Sequence, residues 1–320
     1  MQAIVVTHFG EPDVLIPQEV PVPKAGPGQV LVQIAVAGIN PVDTYIRAGK
    51  YPTLPSLPYT PGFDGAGTVA ALGAGVTGLR TGDRVYLSGT ATGTYAAHAL
   101  CRAANVHPLP KRIGFTPGAG IGVPYGTAYR ALVQRGAAQA GELLLIHGAS
   151  GSVGTAAVQF GKALGLRVFG TAGTQEGLRR VVAEGAEQAF DHNDPDYLDQ
   201  IRQASGGQGA DLILEMLANV NLAKDMELIA RRGRIVVIGT RGKIEIDPRR
   251  LLVRESEIRA VSLPQATPEE HQAIYAAVDA GLADGTLRPG AGQEFPLPQA
   301  PAAHRAVEQG KAKGKVVLIP

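Results

Sequence analysis

The sequence predicts an α/β fold in two parts: a doubly wound parallel sheet in the middle of the chain, and a β-rich domain assembled from its two ends. Three observations predict it. Between about Pro124 and Leu263, short apolar strands alternate with amphipathic helices, the pattern of a parallel sheet covered on both faces. Before that stretch, Gly and Pro punctuate short β-branched runs, as in a compact antiparallel domain. After it, one helix and a final strand, Lys315–Ile319, are too little to fold alone. They are expected to return to the first domain and complete its sheet. The expected boundaries are therefore 1–123 with 264–320 for the β-rich domain, and 124–263 for the parallel one.

The first segment contains strand-like runs at Ala3–Thr7, Val30–Val36, Gly67–Leu72 and Arg84–Leu87. In the middle segment, strands are expected at Leu143–His147, Arg167–Thr171, Gln188–Asp191, Asp211–Glu215, Arg234–Gly239 and Glu257–Leu263. Helices are expected at Val153–Gly165, Glu176–Gly185, Tyr197–Ala204 and Leu222–Arg231, with a further one at Pro268–Leu282.

Composition narrows the function classes. The chain has 320 residues, 45% of them hydrophobic, enough for real cores. A net charge of +2 and only 5% aromatic residues give no basis for a nucleic-acid surface. No run approaches the roughly 18 apolar residues needed to span a bilayer. The N-terminus lacks the basic start and long apolar run of a signal peptide. One cysteine, Cys101, excludes an intrachain disulfide framework and a multi-cysteine metal cage. A cytoplasmic protein is the plain expectation.

The most informative stretch is LLLIHGASGSVG, Leu143–Gly154. It reads as strand, tight turn and helix start. Ala149–Gly154 fits G-x-G-x-x-G with alanine in the first glycine position, a turn that lets backbone N–H groups reach a pyrophosphate. Three more expected strand ends also carry small or polar residues: Gly170–Thr174, Met216–Asn221 and Gly239–Arg241. Four such ends in register point to a dinucleotide. The second of them, Phe169–Thr174, contains no acid. A carboxylate there would bind a ribose 2′-OH and repel a 2′-phosphate, so its absence permits NADPH. Glu176 lies slightly beyond that position and reads as an acid in a first helical turn. Arg179 and Arg180 either face the phosphate or solvate a helix. His192, after the third strand, is placed to meet the adenosine half.

A zinc-dependent dehydrogenase with this architecture needs a thiolate and a histidine in its first domain. Asn40 stands in the run GINPVD where the thiolate is required, and Phe63 in PGFDGAG where the histidine is required. Metal catalysis is not expected. His8, His98, His107, His147, His271 and His304 show no ligand spacing.

Eight segments then carry a family resemblance: GINPVDTYIRAGKY (38–51), PYTPGFDGAG (58–67), IGVPYGTAYRAL (121–132), HGASGSVG (147–154), GTAGTQEG (170–177), LEMLANVNLAKD (214–225), VIGTRGKIEI (237–246) and GKVVLIP (314–320). The chain resembles the zeta-crystallin-type NADPH:quinone oxidoreductases, the zinc-free branch of the medium-chain dehydrogenase/reductase superfamily. The resemblance implies a discontinuous GroES-like catalytic domain split around a Rossmann domain, with NADPH as cofactor. It places Tyr45 near the nicotinamide and makes Ser150, Gly151, Ser152 and Val153 the pyrophosphate turn. Gly173 and His192 fall around the adenosine ribose. Asn221, Ile238, Gly239, Thr240, Arg241, Val261, Ser262 and Leu263 line the rest of the groove. One departure is Gly126, where animal members carry a bulky aromatic; a wider site near Tyr125 is the expected result.

The implied reaction is zinc-independent reduction of a quinone, or another electrophilic acceptor, by hydride or single-electron transfer. A quinone needs no Lewis acid, so alignment supplies most of the catalysis. Asn40, Tyr45 and Tyr51 are the candidates to donate hydrogen bonds to the developing quinol oxygen. For the tyrosines, packing against the nicotinamide is an equal alternative. Reduction of alkenal or enone double bonds is the nearest rival activity. Binding of AU-rich RNA is a property of animal members that no basic face supports here. Pairing of Ile258–Leu263 across a two-fold axis leads to an expected homodimer or homotetramer.

Overall fold

The computed structural model describes residues 1–310 and 314–320. The chain forms two compact units, Met1–Val123 with Pro289–Pro320, and Pro124–Arg288.

In the first unit, β1 (Gln2–Val5) pairs antiparallel with β2 (Ile16–Glu19). A seven-stranded sheet contains β3 (Gln29–Gly38), β4 (Asp64–Leu72), β5 (Arg84–Ser88), β6 (His98–Arg102), β7 (Val106–Pro108), β14 (Gly292–Pro296) and β15 (Lys315–Ile319). Its order is β14-β15-β3-β4-β5-β7, with β6 also pairing β3. The sequence QVLVQIAVAG gives β3 the stiff β-branched side chains that suit a central strand. Val30, Val32 and Ile34 pack in one core with Ile4, Val85, Leu87, Cys101 and Leu318.

The C-terminal strand does return to this unit. β15 pairs antiparallel with β3, Val317 opposite Gly38 and Leu318 opposite Ala37. Three helices of the unit are α1 (Pro41–Arg47), α2 (Phe115–Gly118) and α10 (Ala300–Glu308). The last lies in the Pro-rich tail, where no helix was expected; Ala300, Ala303 and His304 are its buried face.

In the second unit, six strands run parallel: β8 (Leu143–Ile146), β9 (Arg167–Ala172), β10 (Gln188–Asp191), β11 (Ala210–Glu215), β12 (Ile229–Val237) and β13 (Glu257–Ala260). Their order is β10-β9-β8-β11-β12-β13, so the winding reverses between β8 and β11. Every residue of β8 is buried, as a central strand covered on both faces requires. The helices are α3 (Gly122–Tyr129, which starts at the junction of the units), α4 (Ser152–Ala163), α5 (Gln175–Glu184), α6 (Tyr197–Ala204), α7 (Ala218–Leu228), α8 (Arg249–Arg254) and α9 (Pro268–Asp284).

Three expected boundaries differ. The helix expected at Leu222–Arg231 ends at Leu228, because Ile229 and Ala230 are drawn into β12 and buried there. The last parallel strand ends at Ala260, since Pro264 supports a single 3₁₀ turn at Leu263–Gln265 instead of a longer strand. The second domain boundary falls at 288/289, not 263/264, and α9 groups with the parallel unit. Arg130 fixes its first turn through a 2.7 Å ion pair to Glu270, and Ile274, Tyr275, Val278 and Leu282 form its buried face. Amphipathicity showed that α9 must pack but not against what. Among the described residues, no helix is long and apolar enough to cross a membrane.

Candidate cofactor and substrate site

Parallel strands end at one edge of the sheet, and the reversal between β8 and β11 opens a crevice there. The turn after β8 fills this position. Gly148 N donates to Thr171 Oγ1 (3.2 Å) and Ala149 N to Thr171 O (2.8 Å), which fastens the turn to β9. Gly151 is the residue before α4, and no described side chain caps that helix. The N–H groups of Ser152, Val153 and Gly154 in the first helical turn therefore point towards a ligand position.

Close approach explains the glycine pattern. A Cβ on Gly154 would lie 2.5 Å from Gly148 O, and one on Gly170 would lie 2.6 Å from Ala149 Cβ. Gly170 thus makes room for the alanine that replaces the first glycine of the motif. The cradle fits a pyrophosphate.

The predicted adenosine-side pair comes together. A Cβ on Gly173 would lie 2.5 Å from His192 Nε2, and Asn193 Nδ2 donates to Gly173 O at 3.0 Å. Burial lowers the His192 pKa, which favours the neutral imidazole. No acid lies between Phe169 and Thr174.

The loops after the next strands interlock. Ile238 N and Gly239 N both donate to Glu215 O (2.8 and 3.3 Å), and Ala218 N donates to Gly239 O (2.9 Å). A Cβ on Gly239 would lie 2.6 Å from Met216 O. Asn221 Nδ2 donates to Glu215 Oε1 at 3.3 Å. Asn219 Oδ1 accepts from Arg241 N (2.8 Å) and from Thr240 Oγ1 (3.4 Å). Val261 N donates to Val237 O (3.0 Å), and Ser262 and Leu263 continue into the 3₁₀ turn. Asn221, Ile238–Arg241 and Val261–Leu263, predicted for the cofactor groove, all lie on these strand-end segments of the second unit.

Gly126 does not widen the site. Tyr275 Oη lies 2.7 Å and Leu263 Cδ2 3.2 Å from where its Cβ would be, so α9 and the 3₁₀ turn before it fill the volume that a larger residue would occupy.

Of the predicted residues of the first unit, Asn40 belongs to a buried polar network. Asn40 precedes α1, and its N–H donates to Asp43 Oδ2 at 2.7 Å. Its side-chain amide donates to Asp64 Oδ2 (2.9 Å), and its Oδ1 accepts from Lys315 Nζ (2.6 Å). Lys315 also donates to Asp64 Oδ2 at 3.0 Å, and Val123 N donates to Asp64 Oδ1 at 2.8 Å. Asn40 is 3% and Lys315 6% exposed. Burial pushes the Asp43 carboxyl up to about 7, helped by the neighbouring Asp64 charge. Tyr45 lies on α1 and Tyr51 just beyond it, both half-buried.

Sequence reasoning missed Lys315 as the partner that joins Asn40 and Asp64. The positions span 275 residues and meet only through the β15–β3 pairing. It also missed His147, Glu215 and Asp225, which converge beneath the glycine turn.

The geometry defines a two-domain, dinucleotide-dependent dehydrogenase or reductase. Residues 152–279 match the model described as a zinc-binding dehydrogenase, and residues 26–111 that of the alcohol dehydrogenase GroES-like domain. The chain is 46% identical to the human quinone oxidoreductase over 321 residues, covering 100% of this chain and 98% of that one. A solved structure of the Escherichia coli quinone oxidoreductase complexed with NADPH is similar, with TM-score 0.90 and 28% identity over 100% of both chains. So is an NAD-dependent alcohol dehydrogenase, with TM-score 0.92 and 29% identity over 100% of both chains. The chain belongs to the quinone oxidoreductase family of the medium-chain dehydrogenase/reductase superfamily.

The zinc in the first family description does not fit the residues at Asn40 and Phe63. An amide and a phenyl ring are poor donors for zinc. Cys101 is buried in the β-sheet core, and the cation that Asn40 and Asp64 hold is the Lys315 ammonium.

Proposed function

We propose that this protein reduces quinones with NADPH and without a catalytic metal. The observation that carries this reading is the uncapped start of α4 at the sheet's reversal, next to a β9 end that has no acid. Family membership supplies the quinone.

Bound NADPH supplies the hydride equivalent, and the quinone also takes up a proton to become the quinol. The chain's own residues bind and orient. Ser152, Val153 and Gly154 N–H groups hold the pyrophosphate. Gly173 and neutral His192 border the adenosine ribose, where the absent carboxylate leaves space for a 2′-phosphate. Asn221, Ile238–Arg241 and Val261–Leu263 complete the cofactor groove. Asn40, Tyr45 and Tyr51 act on the acceptor side. Lys315 and Asp64 fix the rotamer of Asn40, and Asp43 holds a proton at its carboxyl near neutral pH.

The test is steady-state oxidation of NADPH and NADH with 9,10-phenanthrenequinone, a para-quinone and a simple enal, before and after dialysis against a zinc chelator. The reading requires NADPH preference, quinone turnover well above enal turnover, and no loss on chelation. Faster turnover of the enal would replace it with double-bond reduction.

A further inference from the structure

Directly below the glycine turn lie three buried titratable groups with no role in the scheme above. His147 follows β8, Glu215 ends β11 and Asp225 lies on α7; they are 3%, 0% and 0% exposed. His147 Nε2 is 2.8 Å from Asp225 Oδ1 and 4.0 Å from Glu215 Oε2. Beyond these ion pairs, neither Asp225 oxygen nor Glu215 Oε2 has a hydrogen-bond donor among the described residues. Two carboxylates and an imidazolium leave one uncompensated negative charge in a dry site, which desolvation strongly disfavours. A second proton removes the charge and gives the orphaned oxygens a donor.

The cluster is wired to the cofactor loops. His147 Nδ1 is 3.4 Å from Thr171 Oγ1, which accepts from Gly148 N. Glu215 Oε1 accepts from Leu217 N and from Asn221 Nδ2. One end therefore holds the turn after β8 and the other the loop after β11, the two walls of the crevice.

We propose that His147, Glu215 and Asp225 form a single positioning cluster that holds two protons, one on the imidazole and one on Glu215, and so fixes the turn Gly148–Gly154 against the loop Met216–Asn221 for NADPH. This rests on the cofactor reading above. The charged neighbours agree with it. Lys224 precedes Asp225 on α7 with its ammonium 5.6 Å from the Tyr197 ring of α6, while His192, just after β10, is kept neutral by burial and adds no charge. Burial, then the Asp225 charge, pushes Glu215 up to about 7, and Asp225 raises His147 against the effect of burial. The protonated cluster therefore prevails below neutral pH, and ionisation of Glu215 above it loosens both loops.

Two measurements on the full chain test this. NADPH affinity is followed by fluorescence from pH 6 to 9. In the wild type, Kd rises severalfold above pH 7. Glu215→Gln mimics the protonated carboxyl and flattens that rise, while Asp225→Asn raises Kd about tenfold at every pH. If Asp225→Asn does not fold, the Glu215→Gln profile decides alone. Amide exchange without cofactor is the second readout. His147→Gln speeds exchange at Gly148 and Leu217 while the interiors of β8 and β11 stay protected. Identical pH profiles in wild type and Glu215→Gln, or unchanged exchange in His147→Gln, overturn the proposal. So does one equivalent of a divalent metal bound by the wild type and lost in Asp225→Asn, since a cation would then replace the protons. A wild type that binds no NADPH at any pH defeats the cofactor reading instead, and the exchange experiment still judges the cluster.

Discussion

Gly126 and Tyr275 occupy one shared volume: a Cβ at position 126 would lie 2.7 Å from the Tyr275 hydroxyl. The two residues lie 149 positions apart on α3 and α9, so only the fold reveals that the small one is paired with a large one. Gly126→Phe alone overpacks this contact and should cost about 1–3 kcal/mol. Gly126→Phe with Tyr275→Ala should recover at least half of that. Thermal denaturation of both variants checks it, and equal melting temperatures would show that Tyr275 is not the obstacle.

Gly151 separates stability from binding. Its backbone is extended, φ −75° and ψ 171°, a conformation any residue adopts, and an added Cβ meets only Gly148 O at 3.3 Å. Gly151→Asp places a good helix N-cap there, so the melting temperature should hold or rise slightly. The same carboxylate occupies the anion cradle, and NADPH Kd should rise at least about 100-fold, since a like charge opposes the pyrophosphate. Wild-type affinity in this variant would move the pyrophosphate away from the turn.

The parallel half of the molecule was legible because its cues are local. The tight turn at Gly148–Gly154, the acid-free end of β9 and the strand Gln188–Asp191 are all specified within a few residues. What stayed hidden was set by distant partners. Asn40 read as a free hydrogen-bond donor, because nothing near it in sequence announces that Lys315 comes alongside through β15. His147 read as one of six scattered histidines without ligand spacing, because its carboxylate partners lie more than sixty positions away in Glu215 and Asp225. The apolar stripe of α9 gave no sign of which unit would receive it.

Lys315 is the only cation that directly contacts Asp64 among the described ion pairs, and both are buried. Lys315→Met leaves Asp64 as an uncompensated buried charge and should cost about 3–5 kcal/mol. Lys315→Met with Asp64→Asn removes both charges and should return most of that loss. Urea denaturation of the two variants checks this, and quinone turnover should fall in both, because Asn40 loses the ammonium that orients its Oδ1.

Asp43 gives the first unit a pH dependence whose sign follows from its environment. Its carboxyl has an ordinary value of 3.8 and is held at about 7, mainly by burial. Between those limits the folded state binds a proton that the unfolded chain has released. Stability from this group therefore falls as pH rises from about 4 to 7, and is level above that. Asp43→Asn cannot ionise and should remove this slope, while keeping an oxygen to accept from Asn40 N. Comparing urea midpoints of wild type and Asp43→Asn at pH 5, 6, 7 and 8 isolates the effect: the variant should gain relative to wild type as pH rises to 7 and then stay constant. A difference that shrinks over that range would mean that the Asp43 carboxylate, not the acid, is the form the fold prefers.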